Sequence, residues 1–125
     1  MSAALTLEEI QVWGTNESIR TVLLEMETVA SASPDSPEAK ALIERLKVIQ
    51  DGWFGGIVVD IKSMLSDGKQ ARYLASVLEE TVSRLPEIDG WTDFGMAWLD
   101  DQSASFREVQ QRLNKIAQQA SDGDA

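Results

Sequence analysis

The side chains that could do chemistry in this sequence are carboxylates, because the chain has 21 aspartates and glutamates but no histidine and no cysteine. Histidine is the commonest general base and metal ligand, and cysteine supplies the thiolate nucleophile. Carboxylates that hold a metal ion in a helical bundle stand three or four residues apart, so that both reach inward. Two pairs have that spacing, Asp35 with Glu38 and Asp89 with Asp93.

Both carboxylate pairs are explained by helix capping. Each pair spans a predicted helix start, where acids interact favourably with the helix dipole. Neither of the two common glycine-rich phosphate-binding motifs occurs in the chain. We therefore predict no catalytic residue, no metal site and no cofactor, and a protein that is not an enzyme.

The negative charge is concentrated in two segments. The formal charge is −10. Residues 1–35 contain six acids and one base, and residues 86–106 contain five acids and no base, whereas the remaining segments balance. In the balanced segments acids precede bases at the spacing of helical ion pairs, as in Glu44–Lys47, Glu80–Arg84 and Glu108–Arg112.

Residues 86–106 combine these acids with bulky side chains. An acidic field attracts basic surfaces and repels nucleic acid, and tryptophan is enriched among the residues that dominate interface energies. A surface that is acidic only for solubility is the simpler alternative. The segment predicts a partner-binding surface made of Glu87, Asp89, Trp91, Asp93, Met96, Asp100 and Asp101.

The aromatic residues follow helical stripes that are more typical of a core than of an interface. One predicted helical face carries Trp91, Phe94, Trp98 and Leu99. We expect Phe94 and Trp98 in the core, and Met96, which lies off that stripe, at the surface. The stripes around Trp13 and Trp53 predict that these two residues are also core.

The hydrophobic pattern predicts helices throughout, because no segment alternates over the length of a good strand. A capping box at Thr6 and Glu9 begins a helical pattern over residues 6–30, and Ser36-Pro37 begins another. A later capping box at Ser105 and Glu108 predicts the start of the last helix. We predict an all-α compact bundle of five to seven helices without significant sheet, with residues 1–120 as one domain and residues 121–125 as a frayed tail.

The first residues lack the basic start and the long apolar stretch of a signal peptide. The longest aliphatic run, Ile57-Val58-Val59, is far shorter than the ~20 residues that span a bilayer. These features predict a cytoplasmic protein with no membrane association.

Together these properties predict a non-catalytic acidic interaction module that binds a basic surface of a partner protein, as an inhibitor or immunity-type neutraliser. The analogy is one of charge and size, because no residue pattern identifies a family. A nucleic-acid-mimicking inhibitor of a DNA- or RNA-binding machine is an alternative, although no three acids are consecutive. A structural subunit of a homo- or hetero-oligomer is another. A bundle with a small-molecule pocket also stays open, with Thr81 as the one clear polar residue on a buried stripe. We expect no direct nucleic-acid binding.

Overall fold

The computed structural model describes the backbone of residues 2–123 and the side chains of residues 2–120. This part of the chain forms three strands and four α-helices, with one 3-10 turn after β3 and another after α3. The strands are β1 (Ser2–Leu7), β2 (Ile10–Thr15) and β3 (Val58–Asp60). The helices are α1 (Asn16–Ser31), α2 (Pro37–Asp51), α3 (Gly68–Arg84) and α4 (Asp93–Gly123).

The prediction of an all-α bundle of five to seven helices is therefore wrong, although most of the chain is helical. The capping box predicted at Thr6 and Glu9 does not form, because residues 2–15 make an antiparallel hairpin with a two-residue turn at Glu8-Glu9. Burial alternates along β2, which has the period of two expected of a strand with one covered face. Helix α1 begins only at Asn16, where the Thr15 hydroxyl accepts a hydrogen bond from the Ser18 amide.

A three-stranded mixed sheet has β1 at its centre, between β2 and β3. β1 pairs antiparallel with β2 and parallel with β3, so that Leu5 lies opposite Val12 on one side and Val59 on the other. All three of these side chains are buried. They belong to the inner face of the sheet, which joins one hydrophobic cluster with residues of α1, α2, α3 and α4.

The helix predicted from Ser36-Pro37 is confirmed as α2. The Ser36 hydroxyl accepts from the Ala39 amide at 3.2 Å, and Pro37 occupies the first helical position. The last helix, predicted to start at the capping box of Ser105 and Glu108, instead begins at Asp93 and is continuous as α4, so this second capping box is absent. α4 continues to Gly123, and residues 124–125 of the predicted tail lie outside the described residues. Among the described helices, none is both long and apolar enough to cross a membrane.

The outer face of the sheet carries two large exposed side chains. Trp13 of β2 and Val58 of β3 both lie opposite Ala4 of β1, and their exposed fractions are 48% and 55%. The prediction that Trp13 is a core residue is therefore wrong, because its side chain points to the face opposite the core. Trp53, also expected in the core, is half-buried against it.

Helix α4 covers the free edge of β2. The Trp98 indole Nε1 donates to the Trp13 carbonyl at 2.7 Å, and the Trp13 amide donates to Gln102 Oε1 at 3.2 Å. These two backbone groups point away from β1, because alternate residues of an antiparallel edge strand direct their backbone groups outward. Two side chains of α4 therefore satisfy backbone groups that would otherwise be open to pairing with another strand.

Gly14 is required by the close approach of Trp98. A Cβ atom built on Gly14 lies 2.9 Å from the Trp98 ring, which is held in place by its hydrogen bond to Trp13. We predict that Gly14→Ala lowers the free energy of unfolding by about 1–3 kcal/mol through overpacking. Chemical denaturation followed by tryptophan fluorescence measures the change.

Gly52→Ala is the matched control, because a Cβ atom there meets nothing nearer than the Val48 carbonyl oxygen at 3.6 Å. Equal stabilities of the Gly14 variant and the unsubstituted chain would contradict the packing described for Trp98.

Thr81 is fully buried in α3, and its hydroxyl oxygen has no hydrogen-bond partner among the described residues. It does not line the small apolar cavity between α1, α3, α4 and the sheet. Burying an unpaired hydroxyl costs about 1–3 kcal/mol. We predict that the isosteric variant Thr81→Val raises the free energy of unfolding by about 1 kcal/mol, measured by urea denaturation.

Thr81→Ser is the control, because it keeps the hydroxyl and removes a buried methyl group, and it is expected to be destabilising. A loss of stability in Thr81→Val would show that the hydroxyl has a stabilising partner.

Candidate partner-binding surface

Part of the negative charge of residues 1–35 is neutralised within the fold. The Arg112 guanidinium of α4 bonds to both carboxylates of the hairpin turn, with 2.6 Å between its Nη2 and Glu9 Oε1. Lys62 Nζ lies 3.7 Å from Glu8 Oε1. Within α1, Glu25 accepts from Arg84 Nε at 2.8 Å. Three of the six acids in this segment therefore have basic partners from later in the chain.

The hairpin turn places Glu8 in the left-handed region of backbone conformation, with φ of 56°. Non-glycine residues occupy this region at a cost of about 1–3 kcal/mol, and they persist there where the surroundings hold them. The bond donated by Arg112 is the main cause that lowers the pKa of Glu9 to about 2 from its ordinary value of 4.5. The first acidic segment thus contributes to the folded structure.

The second acidic segment is different. All five of its acids are exposed, and within residues 2–120 none of them forms an ion pair with a lysine or arginine. These acids are Glu87, Asp89, Asp93, Asp100 and Asp101. Their charge is left for solvent or for another molecule.

A tight turn precedes α4 and carries one of these acids. Residues 88–91 form a β-turn in which the Trp91 amide donates to the Ile88 carbonyl at 3.0 Å. Gly90 has a φ of +86°, whereas the φ of Asp89 is not positive. A positive φ at the third of the four turn residues is the mark of a type II turn, in which glycine is preferred at that position. The turn exposes Asp89 and leads directly into the first turn of α4.

The first three turns of α4 have an inner face and an outer face. At 100° per residue, the inner face carries Gly95, Trp98, Leu99 and Gln102, which are buried or half-buried. The outer face carries Asp93, Phe94, Met96, Asp100 and Asp101, all exposed. The predicted surface residues of α4 therefore share one solvent-facing side of the helix.

The prediction that Phe94 is a core residue is wrong. Phe94 is 69% exposed. The helix begins at Asp93 and its inner face carries Gly95 and Trp98, so Phe94 lies on the outer face. Met96 is 38% exposed, in agreement with the expectation from the stripe. Trp98 is half-buried and packs against the core.

Trp91, predicted as part of the binding surface, is half-buried at the base of this region. Its ring makes an edge contact with Trp98, with 6.2 Å between centroids, and Trp98 makes another with Phe106 at 6.0 Å. A Cβ atom on Gly95 would lie 2.8 Å from the Trp91 ring, so Trp91 packs directly on the start of α4. Trp91 therefore supports the shape of the surface.

A groove of about 350 Å³ separates the start of α1 from residues 88–95. Glu17, Ser18 and Thr21 line the α1 wall, and Asp89 and Phe94 belong to the opposite wall. In the sequence Glu17 belongs to residues 1–35, the other acidic segment, so the charge pattern does not predict its place beside this surface. The helical spacing of Glu17, Ser18 and Thr21 marks one side of α1, but only the tertiary structure shows what faces it.

Among the described residues, no three carboxylates converge in a way that could hold a metal ion. Comparison with protein-family models, with curated proteins and with solved structures gives no match for this chain. The surface and the groove are therefore interpreted from their own chemistry.

The ion pair between Arg112 and Glu9 predicts a specific acid sensitivity. Because the folded pKa of Glu9 lies near 2 and its ordinary value is 4.5, the pair contributes its full stabilisation above pH 4.5. That stabilisation declines as the pH falls toward 2. We predict that Arg112→Gln removes this part of the pH dependence, measured by thermal unfolding between pH 2 and pH 6.

Arg107→Gln removes the same charge from α4 at a residue without an ion pair among the described residues. It is expected to keep the acid sensitivity of the unsubstituted chain. A pH profile that is unchanged in Arg112→Gln would contradict the assignment.

Proposed function

We propose that this chain is a non-catalytic protein-interaction module that binds a basic surface of a partner protein through residues 87–101. The observation that carries the proposal is the contrast between its two acidic segments. The first is partly neutralised by Arg112, Arg84 and Lys62, whereas the five acids of the second have no intramolecular cation among the described residues.

Exposed apolar side chains lie among these acids, which favours binding over solubility as the role of the surface. Phe94 and Met96 share the outer face of α4 with three of the five carboxylates. Charged side chains steer a partner toward a surface, and buried aromatic and aliphatic anchors supply much of the affinity. An inhibitor or immunity-type neutraliser of a basic protein is the function that fits this combination.

The proposal predicts that binding depends on the position of the acids and not on total charge alone. A surface variant neutralises the five acids by Glu87→Gln, Asp89→Asn, Asp93→Asn, Asp100→Asn and Asp101→Asn. A control variant neutralises five exposed acids elsewhere by Asp35→Asn, Glu44→Gln, Asp51→Asn, Glu79→Gln and Glu108→Gln. Both variants change the formal charge from −10 to −5.

Affinity capture from a lysate of the source organism, at low and at high salt, tests this prediction. We expect the unsubstituted chain and the control variant to retain the same basic protein at low salt and to release it at high salt. The surface variant is expected to retain at most about a tenth as much, since buried charge pairs at interfaces are worth more than exposed ones. Equal capture by the two variants, or capture of no basic protein, would contradict the proposal, and competition of the captured protein by DNA would favour nucleic-acid mimicry.

A further inference from the structure

The groove between α1 and residues 88–95 has a carboxylate on each wall, Glu17 and Asp89. Both side chains are exposed, and neither forms an ion pair among the described residues. No lysine or arginine belongs to the residues that line the groove. Its electrostatic field therefore favours a cation.

Two helices begin at this groove, and a free helix N-terminus would instead favour an anion. Here both starts are capped within the chain. The Ser18 amide donates to Thr15 Oγ1 at 3.0 Å, and the Gly95 amide donates to Thr92 Oγ1 at 3.3 Å. One amide at each helix start is thus already paired, and each first turn also carries an acid that repels an anion, Glu17 in α1 and Asp93 in α4.

The hydroxyl oxygens on the α1 wall can accept hydrogen bonds from a molecule in the groove. Thr21 Oγ1 donates its proton to the Glu17 carbonyl at 2.7 Å, and Thr15 Oγ1 donates to Ser18 Oγ at 2.9 Å. A hydroxyl whose proton is used in this way retains lone pairs that accept hydrogen bonds. The α1 wall therefore suits an occupant with several N–H donors.

Phe94 supplies an aromatic face at the edge of the groove. It is the most exposed of the large apolar side chains among the described residues, at 69%. A guanidinium group stacks on an aromatic ring while its N–H groups bond to carboxylates in the same plane, whereas an ammonium group is a compact point charge. The presence of Phe94 with Glu17 and Asp89 in one groove therefore favours arginine over lysine as the occupant.

We propose that this groove seats an arginine side chain of the basic partner protein, with the guanidinium between Glu17 and Asp89 and against the ring of Phe94. This inference rests on the proposed function and identifies the residue type that the surface recognises. It adds Glu17 to the residues that determine binding and gives Phe94 a specific role among them.

The test uses three capped tripeptides, acetyl-Gly-Arg-Gly-amide and the same peptide with lysine or with citrulline in place of arginine. Each is titrated into the ¹⁵N-labelled chain and followed by NMR. We expect the arginine peptide to shift the amide resonances of Glu17, Thr21, Gly90 and Phe94 in a saturable manner. The lysine peptide is expected to bind at least about twofold more weakly, and the neutral citrulline peptide should give no saturable shifts.

Phe94→Leu keeps an apolar side chain without the aromatic ring, and Glu17→Gln keeps the shape without the charge. Each is expected to weaken arginine-peptide binding about two- to fivefold. Glu79→Gln is the control, because Glu79 is exposed in α3, forms no ion pair among the described residues and does not line the groove. It is expected to leave binding within about twofold. All three residues are exposed, and an unchanged NMR spectrum elsewhere verifies the fold of each variant.

Equal binding of the arginine and lysine peptides, or shifts confined to Met96, Asp100 and Asp101, would overturn the arginine assignment and leave the proposed function standing. Unchanged affinity in both Phe94→Leu and Glu17→Gln would do the same. The proposed function is contradicted by a different result, which is equal capture of a basic partner by the five-acid surface variant and by its charge-matched control.

Discussion

Helix α4 lies antiparallel to the edge strand β2, and side chains at both ends of the contact hold it there. Trp98 and Gln102 bond to the backbone of Trp13, and Arg112 bonds to the turn at Glu8-Glu9. From Trp98 to Arg112 the helix rises about 21 Å, close to the ~17 Å that β2 spans from Gly14 back to the turn. The two elements therefore match in length, and the edge of the sheet is covered.

This docking also determines which charges remain available. Because Arg112 forms ion pairs with Glu8 and Glu9 at the hairpin turn, these two acids stabilise the folded structure and are not available to a partner. Because Gly95, Trp98 and Leu99 face inward, the opposite side of the first turns of α4 faces solvent, with Asp93, Asp100 and Asp101 on it. The same rotation of the helix exposes Phe94 and Met96 among those acids. Packing at the start of α4 and the ion pairs of Arg112 further along it thus leave a surface with uncompensated negative charge.

The sequence could predict helices whose caps and stripes are local. Ser36 and Pro37 mark the start of α2, and the later part of the helical pattern predicted over residues 6–30 forms α1. The exposed position of Met96 was also predictable from the spacing of its neighbours. These features depend on residues within a few turns of one another.

The hairpin could not be predicted in the same way. Its turn contains two glutamates and no glycine or asparagine, and the unfavourable conformation of Glu8 is supported by Arg112, which lies 104 residues away. The spacing of Glu108 and Arg112 predicted a pair within α4, but Arg112 instead bonds to the turn. The short alternation in Ile10-Gln11-Val12-Trp13 was the available signal for a strand.

The acidic surface could likewise be predicted only in part. Its five carboxylates were identifiable because no base occurs between residues 86 and 106. The exposure of Phe94 depends on where α4 begins, and the position of Glu17 opposite Asp89 depends on how α1 packs beside the turn. Spacing along the chain contains neither piece of information, so the groove is a property of the tertiary structure.

The most direct test of this account is the local electrostatic potential around the free chain, because it needs no partner. Paramagnetic relaxation of amide protons by cationic and by anionic soluble nitroxides reports that potential residue by residue. We predict the most negative potential at residues 87–101 and at the start of α1, and a weaker one at the turn Glu8-Glu9, where Arg112 and Lys62 neutralise both carboxylates. A potential that is uniform over the surface, or most negative at the hairpin turn, would contradict it.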